Sequence, residues 1–211
     1  MDEFAVIGLD CARFGGDYTV GVLRIGGRVV KIIRARNTDT GQQVDIVRQL
    51  KNYCQYECNV HLDAVCVDAA YGAGAIDMLK QLGYNVYEVA FAEKANESQY
   101  FNVRAEMYFN ALKWMKEGGQ FCDDELNADL SAQRYLLDDG GKFRLVPKEV
   151  IKKTLERSPD TSDAFALTFY WSLTEISIGF TKKKTMDSPI TRQRMWKSKL
   201  KKSSHKFSFS T

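Results

Sequence analysis

A short apolar run that ends on a carboxylate constrains this chain more than any other feature. Phe4-Ala5-Val6-Ile7-Gly8-Leu9 shows no polar alternation, so it reads as a strand buried on both faces. Asp10 stands at its end, where an ordinary core would reject a charge. After a glycine-containing turn a second run, Thr19 to Ile25, doubles back, and Gly26-Gly27 turns it into a third, Arg28 to Ile33. Three antiparallel strands therefore open the domain, with Asp10 at the centre of the sheet. An aspartate at a strand end often caps a turn, and alone Asp10 says no more than that.

The pattern recurs. Val44, Ile46, Val47, Leu50 and Tyr53 predict a helix from about Gln42 to Tyr56, and the next strand, Leu62 to Val67, again runs apolar into an aspartate, Asp68. Ile76, Leu79 and Leu82 predict a helix over about 75–82, followed by a strand from Asn85 to Val89. A strand-helix-strand unit implies parallel pairing, and in such sheets ligands collect at the carboxyl ends of the strands. Gly72-Ala73-Gly74 lacks the lysine of a phosphate-binding loop and reads as a tight strand-to-helix turn.

Further along, Phe91 to Phe101 reads as a polar, mobile loop, and a long amphipathic helix follows from about Asn102 to Glu117. Another helix is expected over about 123–136. Asp138-Asp139-Gly140-Gly141 then joins Arg134–Leu137 to Lys142–Val146 as a short hairpin, and Pro147 opens a short helix carrying Lys148, Lys152, Lys153 and Arg157. Ser158-Pro159 starts the last helix, where Asp160 suits the positive end of the helix dipole. Asp163 has no such explanation. It shares its side with Ala166, Leu167, Tyr170 and Trp171, so a carboxylate points along the apolar face, and burying it uncompensated costs several kcal/mol. A cation is expected there.

The chain of 211 residues, 45% hydrophobic and 27% charged, suits one core-forming domain, expected over 1–179. Its net charge of +3 is unevenly placed: between Lys182 and Lys206 stand ten Lys and Arg residues against one acid, Asp187. Residues 180–211 are accordingly expected to be a disordered basic tail. Five unevenly spaced cysteines point to a reducing compartment rather than a disulfide framework, and Cys54, Cys58 and His61 fall one ligand short of a structural zinc site. No stretch is long and apolar enough to span a membrane and no signal peptide opens the chain, so a cytoplasmic protein without membrane contact is expected.

Two aspartates from strand ends and one from a late helix supply the hard oxygen ligands that Mg²⁺ or Mn²⁺ prefers, and two such ions about 3.5–4 Å apart can hydrolyse a phosphodiester. In this setting the chain resembles the nuclease domain of the large terminase subunit of tailed bacteriophages, in the ribonuclease H-like superfamily. The resemblance covers roughly Phe4 to Leu173. It rests on the order of Gly-Leu-Asp-Cys-Ala-Arg-Phe-Gly-Gly-Asp, Val-Asp-Ala-Ala-Tyr-Gly-Ala-Gly, Asn-Val-Arg-Ala-Glu-Met and Ser-Pro-Asp-Thr-Ser-Asp-Ala.

The resemblance implies an α/β fold with a mixed sheet, three antiparallel strands followed by parallel ones, flanked by helices. It implies endonucleolytic cleavage of double-stranded DNA concatemers during genome packaging in the cytoplasm of an infected bacterium. Asp10, Asp68 and Asp163 would be the metal ligands for two Mg²⁺ or Mn²⁺ ions, with Asp160 holding a metal or its water and Arg13 and Asp17 beside the first ligand. Arg104, Lys142, Arg144, Lys152, Lys153 and Arg157 are the basic residues expected to hold DNA. The implied partners are a terminase ATPase domain, the small terminase subunit and the capsid portal, the last through the basic tail, where Met195, Trp196 and Leu200 lie at helical spacing.

Gly-x-x-x-x-Gly-Lys-Ser/Thr is absent from the sequence, so the chain is expected to be the nuclease half of a terminase with its own initiating methionine, ahead of the alternative of a free-standing relative, and no ATP-driven translocation is expected of it. Two other enzymes are compatible with parts of the pattern. A Holliday-junction resolvase would prefer four-way junctions to linear duplex. An actin-like ATPase or sugar kinase opens with a similar strand, aspartate and glycine turn, but needs glycine-rich nucleotide turns in a second domain. A non-catalytic DNA-binding module leaves the three acids unexplained.

Overall fold

The computed structural model describes residues 4–12 and 17–170; Arg13 and the basic tail lie outside the described residues. Strand β1 (Ala5–Asp10) pairs antiparallel with β2 (Tyr18–Ile25), which pairs antiparallel with β3 (Arg28–Arg36). On its other edge β1 pairs parallel with β4 (Ala64–Asp68), and β4 with β5 (Val86–Val89). The sheet order β3-β2-β1-β4-β5 is the mixed sheet expected from the sequence, with β1 in the middle. Every residue of β1 is buried, as its lack of alternation required.

Two helical layers cover the sheet. Ile7, Leu9, Leu23 and Val67 pack under helices α1 (Thr40–Asn52) and α2 (Ala69–Gln81) through Val47, Leu50, Ile76 and Leu79. Val6, Cys66, Val20 and Val22 face the other way, against α3 (Val103–Lys116) and α6 (Asp160–Leu167) through Met107, Trp114, Phe165 and Leu167. Helix α6 lies directly on β1. A Cβ at Gly8 would collide with the Ala164 carbonyl oxygen, so only glycine permits this approach. Buried Arg24 ties the far end of that layer to the sheet: it donates to Thr168 Oγ1 (3.0 Å), Thr168 O (2.8 Å) and Gly26 O (3.0 Å), with its guanidinium 4.3 Å from the Phe169 ring centroid.

Between α3 and α6 run α4 (Asp124–Ala132), the hairpin β6 (Tyr135–Leu137) and β7 (Phe143–Leu145), and α5 (Lys148–Leu155). Three expectations need correction. Helix α2 begins at Ala69, not near residue 75, because Asp68 itself is its N-cap and accepts from Ala70 N (3.3 Å); Gly72-Ala73-Gly74 is helix, not turn. Helix α4 stops at Ala132, since Gln133 is already extended and leads into the hairpin. The segment Phe91–Phe101 is pinned rather than loose: the buried Glu106 carboxylate accepts from Asn96 N (2.8 Å) and Glu97 N (3.0 Å), and Ala95 is buried.

Candidate metal centre

Asp10 and Asp68 end the adjacent parallel strands β1 and β4, and Asp163 lies in the first turn of α6, the helix packed on β1. All are buried, Asp163 completely. The fold thus gathers these three acids from distant parts of the chain into one region. Their electrostatics show the strain of that gathering. Burial raises the Asp10 carboxyl well above the usual carboxylate range, with Lys148 opposing and Asp163, Asp160 and Asp68 adding to the rise. Burial likewise raises Asp68, against the hydrogen bond from Ala70 N. Burial also penalises Asp163, but Arg104 and Lys148 outweigh it and hold this carboxyl below its ordinary value.

The cation expected beside Asp163 is present twice. Arg104 of α3 donates to Asp163 Oδ1 through Nε (3.1 Å) and Nη2 (2.9 Å), and the Tyr108 hydroxyl donates to the same oxygen (2.8 Å). Lys148 Nζ lies 2.9 Å from Asp163 Oδ2 and 3.2 Å from Asp160 Oδ1. Burial would lower the Lys148 pKa, but Asp163, Asp10 and Asp160 raise it, so the ammonium stays charged. Lys148 was visible in the sequence only as one of four basic residues on a short helix. The missed signal is its spacing: Ile151, the buried anchor of α5, lies three residues on, so Lys148 shares the inward face.

Asp160 is committed on both sides. Oδ2 accepts from Tyr18 N (2.9 Å), fixing the start of β2, while Oδ1 takes Ser158 Oγ and Lys148. Asp17 faces Lys152 Nζ at 2.9 Å on a partly exposed rim. Of the other basic residues, Arg157 is drawn inward to Asp129 Oδ1 (2.6 Å), and Arg104 is spent on Asp163 rather than presented at the surface. Arg144 stacks over Phe101, its guanidinium 4.3 Å from the ring centroid. Behind α6 a further network went unread in the sequence: Arg34 bridges Asp123 (2.5 Å), Glu125 (3.2 Å) and Thr161 Oγ1 (3.0 Å), locking β3 and α4 to the helix that carries Asp163.

Among the described residues no group of three or more His, Cys, Asp or Glu side chains is closed to metal-ligand spacing. The Lys148 ammonium stands between Asp160 and Asp163, pairing with both. The donor set nonetheless fits a hard divalent cation. Its oxygens are carboxylate, Asp10 and Asp68 resist ionisation without added positive charge, and the buried Asp163 Oδ2 is paired with the Lys148 ammonium alone, a charge that a divalent cation could replace.

No protein-family model and no curated protein matches the chain. Solved structures do. A variant of the nuclease domain of the large terminase subunit gp2 of bacterial virus Sf6, with manganese and beta-thujaplicinol, superposes with a TM-score of 0.62 at 18% identity, over 79% of this chain and 88% of that one. The large terminase nuclease from thermophilic phage G20c with bound magnesium gives 0.51 at 19% identity, over 80% and 82%. The large terminase of a second thermophilic bacteriophage gives 0.52 at 15%, over 80% of this chain but 39% of that longer one. At such identities the likeness speaks for architecture, and on that ground the chain has the ribonuclease H-like fold of the nuclease domains of phage large terminase subunits.

Proposed function

We propose that the chain is a metal-dependent endonuclease that cuts double-stranded DNA, resolving concatemers during phage genome packaging in the host cytoplasm. One observation carries this reading: three buried aspartates stand at the carboxyl ends of β1 and β4 and in the first turn of α6, close enough to perturb one another's charge, and Asp163 Oδ2 has only the Lys148 ammonium, 2.9 Å away, as its partner. Asp10, Asp68 and Asp163 would hold Mg²⁺ or Mn²⁺, as two ions, with Asp160 in reach of the same region. When bound, such ions activate water and stabilise the oxygen that leaves the phosphodiester.

The chain's own residues supply the rest. The Asp68 carboxylate is fixed by its capping bond to α2, and Asp163 by Arg104 and Tyr108, so the ligands are oriented before a cation arrives. Lys148, paired with Asp160 and Asp163, would supply positive charge toward a substrate phosphate in the same region. Lys142, Arg144 and Lys153 are the expected cations least engaged by internal carboxylates, and they would contact the DNA backbone. The terminase setting, with an ATPase domain, the small subunit and the capsid portal as partners, follows from the fold likeness and belongs to the same proposal.

Plasmid DNA incubated with the protein in EDTA, Mg²⁺ or Mn²⁺ tests it. Cleavage is expected with metal only, and Asp10→Asn, Asp68→Asn and Asp163→Asn should each abolish it while Asp160→Asn is milder. Unchanged cleavage in all three variants would sink the site. Equal amounts of linear duplex and four-way junction separate packaging-type cleavage from junction resolution.

A further inference from the structure

The two oxygens of Asp163 have unequal surroundings. Oδ1 accepts three donors, Arg104 Nε (3.1 Å), Arg104 Nη2 (2.9 Å) and Tyr108 Oη (2.8 Å). Oδ2 is paired with the Lys148 ammonium alone, at 2.9 Å. Arg104 and Tyr108 lie four residues apart on α3, one turn above the other, so the same helical face supplies all three donors. The guanidinium also rests 5.3 Å from the Tyr108 ring centroid, which holds the two side chains in register.

The proton count fixes the direction of the Tyr108 bond. An ionised carboxylate only accepts, so the single phenolic proton goes to Asp163. Ser162 Oγ, 2.8 Å from the same hydroxyl, has a carbonyl acceptor of its own in Pro159 O (3.0 Å).

We propose that Tyr108 is a positioning residue of the metal centre: together with Arg104 it saturates Oδ1 of Asp163, so that only Oδ2 is offered to a divalent cation. Without the phenol, Oδ1 keeps only the two Arg104 donors and the ligand is less firmly fixed in advance. The inference rests on the metal-binding reading of Asp163. Partners that orient a metal ligand typically change affinity 10- to 100-fold when removed.

The test is the rise in melting temperature of the full chain as Mn²⁺ is added, followed alongside the Mn²⁺ dependence of cleavage. Tyr108→Phe removes one hydroxyl and keeps the ring, and Arg104→Lys keeps the charge but loses the paired donors. In both, the half-saturating Mn²⁺ concentration should rise about 10- to 100-fold in both readouts, with cleavage recovering at high Mn²⁺. A wild-type response abolished in Asp163→Asn but unchanged in Tyr108→Phe overturns this inference and leaves the nuclease reading standing. A wild-type chain whose melting temperature ignores Mn²⁺ overturns both. Should Tyr108→Phe fail to fold, Arg104→Lys decides alone, and an unshifted midpoint in it overturns the inference.

Discussion

Lys148 supplies the charge beside Asp163 and Asp160 in a cluster where Asp10 and Asp68 are already pushed toward their neutral forms. Removing one member of a buried ion pair costs about 3–5 kcal/mol, but Lys148 is 31% exposed and water offsets part of the loss. Lys148→Ala should therefore destabilise the protein in EDTA by about 1–3 kcal/mol, and saturating Mn²⁺ should recover most of that, as urea unfolding with and without metal would show. A deficit that metal leaves untouched would mean that the ammonium only supports packing. A second residue-scale effect concerns pH. Burial moves Asp129 from the ordinary 3.8 to about 6, against the Ser162 N–H and Arg157 that favour its charge. A raised carboxyl binds its proton more tightly in the folded chain, so its contribution is full below about pH 4 and lost as pH rises to about 6. Asp129→Asn should flatten that part of the stability-pH curve; an unaltered slope between about pH 4 and 6 would show that Asp129 is already ionised there.

The elements that place the site follow from local chemistry, some of it legible in the sequence and some not. The two aspartate-terminated strands and the carboxylate on the apolar face of α6 could be read directly, because apolar periodicity and a misplaced charge are both local signals. The end of α2 that meets Asp68 could not, since Gly72 looks like a breaker. It is glycine because a Cβ would meet Val67 Cγ1 at 2.6 Å, a tertiary reason. Nor could Arg104 be told from a surface cation, as its partner lies 59 residues away. Gly8 combines both kinds of information. Its strand is local, but its size is set by the α6 backbone, and Gly8→Ala would have to push Ala164 O, Leu167 and Thr168 N outward. We expect a loss of roughly 1–3 kcal/mol or more in urea unfolding. Because α6 carries Asp160 and Asp163, the Mn²⁺-induced rise in melting temperature should weaken with it. Gly72→Ala, which meets a Val67 methyl at 2.6 Å rather than a backbone oxygen, should be milder, and equal losses at the two positions would contradict this account of α6.

At the scale of the whole chain, charge is divided between two regions. The ten Lys and Arg residues between Lys182 and Lys206, against one Asp, exceed the net charge of +3, so the remainder of the chain is net acidic. Of the six cations expected at DNA within that remainder, Arg104, Lys152 and Arg157 already face Asp163, Asp17 and Asp129, which leaves Lys142, Arg144 and Lys153. On the proposed reading, DNA affinity should therefore draw heavily on residues 180–211, while the aspartates would carry the chemistry. Each phosphate neutralised contributes about 0.9 to the slope of log affinity against log salt. Deleting residues 180–211 should lower that slope by several units between about 50 and 200 mM salt in EDTA, yet leave the cleavage rate at saturating DNA and Mn²⁺ within about threefold of the full chain. An unchanged slope would assign the tail to a protein partner such as the portal rather than to DNA. A truncated chain that stays folded but no longer cleaves would place the tail in the active surface and overturn the division of labour.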